Sequence, residues 1–167
     1  MRRRRRITRA RLRELLRYDP TTGEFRWRKR VNRSIHPGDV AGTPCHDRYR
    51  KITIEGRPYR AHHLAWLYMT GRWCSRVIDH RDGDPSNNRW NNLRRATVSQ
   101  SNANRRIQRN NKCGFKGVAR EGSGRWRAYI QKNGRKHPLG SFATPEAAHA
   151  AYVAAARRLH GEFARAE

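Results

Sequence analysis

The sequence predicts an α+β fold shared between two small modules. Three observations lead there. Apolar and charged residues alternate over short stretches, as in half-buried strands; helical spacing recurs only in brief runs; and a basic, non-periodic run at residues 107–112 separates segments of different composition. A chain of 167 residues has room for one ordinary domain or two small ones. With 35% hydrophobic residues the cores must be modest, although Trp27, Trp66, Trp73, Trp90 and Trp126 fall within patterned apolar segments.

Residues 1–6 form a charge run, expected to be a solvated basic tail that touches phosphate non-specifically. Residues 7–48 read as a supporting segment. Thr8 caps a helix expected to run to about Tyr18 with Leu12, Leu15 and Leu16 as its apolar stripe; Asp19 to Gly23 is a turn; Glu24 to Arg28 is a short strand. Residues 29–48 are loop-like. A hairpin follows, with Tyr49, Ile52 and Ile54 on one arm, Glu55-Gly56 at the turn and Pro58 to Ala61 returning. A helix from about His62 to Thr70 ends at Gly71.

Lys and Arg number 39 against 13 Asp and Glu, a formal net charge of +26 spread along the chain. That excess goes far beyond solubility and predicts a polyanionic partner, with nucleic acid the natural candidate. Cys45, Cys74 and Cys113 stand apart without a CxxC pair, so free thiols are expected rather than a disulfide framework or zinc knuckle. No apolar run reaches membrane-spanning length and no signal-peptide core follows the basic start, so a cytoplasmic protein without a membrane partner is expected.

The stretch Val77-Ile78-Asp79-His80-Arg81-Asp82-Gly83-Asp84 carries the chemistry. An apolar strand delivers an adjacent Asp-His pair, then an Asn-rich loop leads to a strand at Asn92 to Ala96, and Thr97 caps a final helix. Phosphodiester hydrolysis needs an activated water, a Lewis acid and a stabilised leaving oxygen. His80 suits a general base, and Asp79 offers the hard oxygen that magnesium prefers. Neighbouring strand residues point to opposite faces, so both can serve one site only where the strand ends or bends.

The span from Tyr49 to Arg106 resembles the HNH family of homing and phage endonucleases. The likeness rests on Ala61-His62-His63-Leu64-Ala65-Trp66-Leu67, Ile78-Asp79-His80-Arg81-Asp82-Gly83-Asp84, Asn87-Asn88-Arg89 and Asn92-Leu93-Arg94. It implies a ββα-metal nuclease module over residues 49–106. In that module Asp79 is a metal ligand, His80 the general base, and Asn92 the asparagine that pins the catalytic loop. The cofactor implied is a divalent ion, magnesium or alternatively manganese. The second ligand normally comes from the terminal helix. Ser101 stands where an asparagine is expected there, which leaves Asn102, Asn104, or Ser101 through water as candidates; Asn102 is preferred. His62 and His63 are read as structural, and His46 as solvated.

From Cys113 three strand candidates follow, around Gly114 to Val118, Gly124 to Gln131 and His137 to Phe142, and then a helix capped by Thr144 with Pro145 at its first position. Trp126, Ala128 and Ile130 share one face of the middle strand, while Arg125, Arg127, Tyr129 and Gln131 share the other. A small three-stranded antiparallel sheet packed on one helix is expected, its open face bearing arginines. Residues 113–163 resemble the DNA-binding domain of plant ethylene-response factors (the apetala-two type), through Gly-Phe-Lys-Gly-Val, Gly-Arg-Trp-Arg-Ala, Leu-Gly-Ser-Phe and Thr-Pro-Glu-Ala-Ala. That likeness implies DNA contacts from Lys116, Arg120, Arg125, Arg127, Tyr129, Gln131 and Arg135. Pro138 stands where the plant domain commonly has tryptophan.

The function expected is metal-dependent endonucleolytic cleavage of double-stranded DNA by a monomer, without an obligatory protein partner, in a bacterial host cell if the chain is phage-encoded. The alternative is a DNA-binding regulator whose nuclease module has decayed.

Overall fold

The computed structural model describes residues 6–107 and 110–166. The expected basic tail lies outside the described residues except for Arg6, and positions 108 and 109 of the expected linker lie outside them too. The chain divides into two compact units, Met1–Arg95 and Ala96–Glu167. The division expected from sequence lies later, within 107–112.

The first unit opens with α1 (Arg9–Leu15), whose N-terminus is capped by Thr8 Oγ accepting from the Arg11 N–H at 3.2 Å. The helix was expected to continue to Tyr18. Instead Leu16 turns extended and begins β1 (Leu16–Tyr18), which pairs antiparallel with β2 (Phe25–Trp27). Pairing wins over helical propensity because Leu16 and Tyr18 then bury on the same face as Phe25 and Trp27. Two residues of the expected loop form a short strand, β3 (Thr43–Pro44), which edges a sheet completed by β4 (Arg50–Ile54) and β5 (Arg57–Arg60) in the order β3-β4-β5. The β4–β5 turn places Glu55 and Gly56 at positive φ, 51° and 75°.

Next comes α2 (Ala61–Thr70), closed by Gly71 in the left-handed conformation with its N–H on Leu67 O at 2.9 Å. Strand β6 (Val77–His80) pairs with β7 (Leu93–Ala96), which is entered through a single 3-10 turn at Trp90–Asn92. Leu12, Leu16, Phe25, Ile52 and Leu64 are fully buried at the centre of this unit.

The second unit begins with α3 (Val98–Ala103), started by a reciprocal capping box between Thr97 and Gln100. Helix α3 packs within this unit, where Ser99 Oγ accepts from the Asn133 N–H at 3.0 Å. The sheet is β8 (Val118–Arg120), β9 (Trp126–Lys132) and β10 (Arg135–Phe142), antiparallel in the order β10-β9-β8, and α4 (Pro145–His160) covers one face. Val118, Ala128, Ile130, Ala148, Tyr152 and Ala156 fill the seam. Small alanines let α4 approach closely, as the sequence suggested.

The Gly114–Val118 segment is a correction, because most of it is a turn rather than a strand. Gly114 and Gly117 sit at φ 75° and 73°, and a Cβ at Gly117 would collide with the Tyr152 ring.

Candidate active site

The last three residues of β6, Ile78, Asp79 and His80, are all buried. Asp79 and His80 expose only 6% and 5% of their surface. The Asp79 carboxylate accepts from Arg94 Nε on β7, Nε to Oδ2 2.9 Å, and Arg94 is itself 7% exposed. His80 ends the strand, and the chain leaves it in a loop whose first turn has the Gly83 N–H on His80 O at 2.9 Å.

Asn88 lies beside the imidazole, with His80 Nε2 and Asn88 Oδ1 3.3 Å apart. The Asn88 amide nitrogen donates to Ser86 O at 3.1 Å, which assigns the oxygen to the histidine side. That oxygen accepts from His80 when the neutral imidazole carries its hydrogen on Nε2. Burial pushes the His80 pKa below its ordinary value, more than the Asn88 bond and the nearby Asp82, Asp79 and Asp84 carboxylates raise it.

Asn92 holds the loop from inside. Its side-chain oxygen accepts from the Asp82 N–H at 3.0 Å, and its amide nitrogen donates to Asp82 Oδ1 at 3.0 Å and Asn87 O at 2.8 Å. Its backbone oxygen accepts from the Arg81 N–H at 2.9 Å. Asp82 also accepts from Asn87 Nδ2 at 2.6 Å and the Asp84 N–H at 2.8 Å. Burial pushes the Asp82 carboxyl up, but these donors outweigh it and hold the pKa below the ordinary value.

The supporting segment braces the same loop. Tyr18 donates from its hydroxyl to Asn88 O at 2.7 Å, and the Trp90 N–H reaches Pro20 O at 2.9 Å. On the other side His62 is buried on α2, its ring centroid 5.2 Å from that of His80, with Tyr49 5.1 Å from His62 and 5.9 Å from His80. Burial, helped by the neighbouring His63, His80 and Arg60, pushes the His62 pKa down to about 2.

A family model described as HNH endonuclease matches residues 59–103, which hold α2, the Asp79–His80 pair, the pinned loop and Arg94. An uncharacterized HNH endonuclease of Acanthamoeba polyphaga mimivirus is 36% identical over 99 residues, 59% of this chain and 51% of that one. Protein 3.8 of Escherichia phage T7 is 36% identical over 93 residues, 53% of this chain and 73% of the phage protein. The chain carries an HNH endonuclease domain. It spans about half the length of the mimivirus relative it matches. Among solved structures, one of DNA binding and cleavage by the HNH homing endonuclease I-HmuI shares 26% identity over 49% of this chain and 46% of that one, with a TM-score of 0.37.

HNH nucleases generally use a divalent metal. Among the described residues no group of three His, Cys, Asp or Glu side chains is placed to hold one. The donor chemistry nevertheless fits a loosely held hard ion, since such ions are commonly bound through one or two carboxylates with water and phosphate completing the shell. Asp79 is the carboxylate in question. Asn102 is exposed on α3 in the second unit, Ser101 is half-buried, and Asn104 is buried.

The HNH match stops before the C-terminal sheet. Strand register puts Arg127 beside Ala119 and Ser141, Tyr129 beside Pro138, and Gln131 beside Lys136, on the face away from α4. Arg125 precedes them with the same parity and donates to Ser141 Oγ and O at 3.1 and 2.8 Å, while Glu121 accepts from Arg127 Nε at 2.6 Å and from Ser141 at 2.8 Å.

Three expected DNA contacts are placed otherwise. Arg120 pairs with Trp126 and Arg135 with Lys132, in register with the α4 side of the sheet. Lys116 turns inward, donating from Nζ to the carbonyls of Ala103, Arg105 and Arg165 at 2.6, 2.5 and 3.0 Å. Sequence reasoning missed Arg94, Asn88, Asp82 and Lys136, whose ammonium lies 5.0 Å from the Tyr129 ring centroid. Arg94 and Asn88 stood within the quoted motif but carried no signal of their partners.

Proposed function

We propose that this chain is a divalent-metal-dependent endonuclease acting on double-stranded DNA, with His80 as general base and Asp79 as metal ligand. The observation that carries the reading is the buried Asp79–His80 pair at the end of β6, beside a loop locked through the Asn92 side chain. Nδ1 of His80 takes the proton from the attacking water. Asn88 supports that role by accepting from Nε2 and fixing the tautomer. Asn92 keeps the loop, and with it the imidazole, in one arrangement before substrate arrives. A divalent ion at Asp79 supplies Lewis-acid stabilisation of the phosphate and leaving oxygen. Asn102 is the candidate for a second ligand on sequence grounds.

The second unit supports a targeting role through its open sheet face, where Arg125, Arg127, Tyr129, Gln131 and Lys136 form a basic surface suited to a DNA groove. Its closeness to the apetala-two domain rests on the sequence motifs.

Supercoiled plasmid incubated with magnesium or manganese, with EDTA and the His80→Ala variant alongside, tests the reading. Metal-dependent nicking or linearisation lost in the variant, with DNA binding retained, is expected. Full cutting by His80→Ala sinks the base assignment. Binding without any cutting by the wild type favours the regulator alternative, for which the serine at position 101 is the sequence argument.

A further inference from the structure

Arg94 is a buried cation set against the expected metal ligand, and the mechanism above does not use it. Its guanidinium and the Asp79 carboxylate are both more than nine-tenths buried and meet at 2.9 Å across the β6–β7 sheet. A buried ion pair is a weak device for stability alone, because desolvating two charges offsets much of their attraction. Its electrostatic effect on Asp79 is strong, since solvent screens a buried charge poorly.

A guanidinium cancels the negative potential that a carboxylate would otherwise offer a divalent ion. The neighbouring carboxylates do not restore it. Asp82 is taken up by Asn87, Asn92 and the Asp84 N–H, and Asp84 by Ser86 and Arg48. A phosphate brought to the site supplies both the missing negative charge and further hard oxygens.

We propose that Arg94 neutralises Asp79 so that a divalent ion is taken up together with a DNA phosphate and is disfavoured in the protein alone. Arg94 is thus a positioning and selectivity residue for the metal ligand, and the assignment rests on the nuclease reading of Asp79 and His80. It confines the activated ion to moments when substrate is present.

The test follows Mn2+ uptake through the electron paramagnetic resonance signal of the free ion. The His80→Ala protein, expected to bind DNA without cutting, is titrated with and without plasmid, and the Asp79→Ala/His80→Ala double variant gives the background. Asp79-dependent uptake should be at least tenfold tighter with plasmid. In parallel, Arg94→Gln should bind Mn2+ without DNA at least tenfold more tightly than wild type, and added Mn2+ should raise its melting temperature more than the wild type's. Arg94→Lys, which keeps the charge, should stay near wild type.

Equal Asp79-dependent uptake with and without plasmid overturns the proposal, as does a folded Arg94→Gln protein that binds no more tightly than wild type. If Arg94→Gln does not fold, the plasmid comparison decides alone. Plasmid cutting by the wild type separates the two failures. DNA-independent uptake with cutting intact removes only the role of Arg94, whereas no Asp79-dependent uptake and no cutting removes the nuclease reading beneath it.

Discussion

A single imidazole here is set by its neighbours more than by its own chemistry. His80 is buried, oriented by Asn88 and flanked by His62. His62, 6% exposed with Nδ1 lacking a hydrogen-bond partner among the described residues, is held neutral far below its ordinary pKa by burial. The unfolded chain protonates this histidine near pH 6.5 while the folded chain does not, so stability falls as pH drops below that value, by up to about 1.4 kcal/mol per pH unit. Thermal melts between pH 7 and 4.5 should show this slope, and His62→Gln should reduce it, the remainder coming from other buried histidines such as His80. Asn92→Ala removes three side-chain hydrogen bonds of the loop and leaves Asp82 and Asn87 short of partners. A loss of about 2–4 kcal/mol by denaturant titration is expected, with plasmid cutting falling at least tenfold at a temperature where the variant is still folded.

At the scale of elements, the supporting segment acts as a brace for the loop that follows His80. Gly23, at φ 78°, lies so close to the loop that a Cβ would meet the backbone of Asn88 and Arg89 at 2.5 Å. Gly23→Ala should therefore cost about 1–3 kcal/mol or more, and should lower cutting at a site it never touches. In the second unit Lys116 links the end of α3, the following turn and the C-terminal segment through three carbonyls. Burial draws its pKa down to about 8, yet three acceptors surround an ammonium that remains charged at neutral pH. Lys116→Met should lower the melting temperature and leave the salt dependence of DNA binding unchanged. A reduced salt slope in that variant would return Lys116 to the DNA contacts.

For the whole molecule, a net charge of +26 would make affinity for DNA, the proposed substrate, steeply dependent on salt. The open sheet face concentrates part of that charge at Arg127 and Lys136, the former already oriented by Glu121. Replacing both with alanine should reduce the slope of log affinity against log salt by about 1 for each phosphate that is no longer neutralised. Arg120→Ala, on the α4 side of the sheet, should change it less. No helix among the described residues is long and apolar enough to cross a membrane, and the three cysteines are free thiols.

Local pattern was enough to read the α+β class, the β4–β5 turn at Glu55-Gly56, the limits of α2, the start of α4, the alternation of β9 and the Asp79–His80 motif, because each depends on residues close in sequence. Alternation alone separated Ala128 and Ile130 from Arg127 and Gln131. What lay beyond it were pairings between distant residues. The shortening of α1 at Leu16 depends on Phe25 and Trp27, and the inward turn of Lys116 on carbonyls up to 49 residues away. The partnership of Asp79 with Arg94 spans 15 residues and two strands. Sequence spacing carries charge and periodicity but not direction in space; only the packed fold decides which buried charge faces which, and here that decides what stands beside the proposed metal ligand.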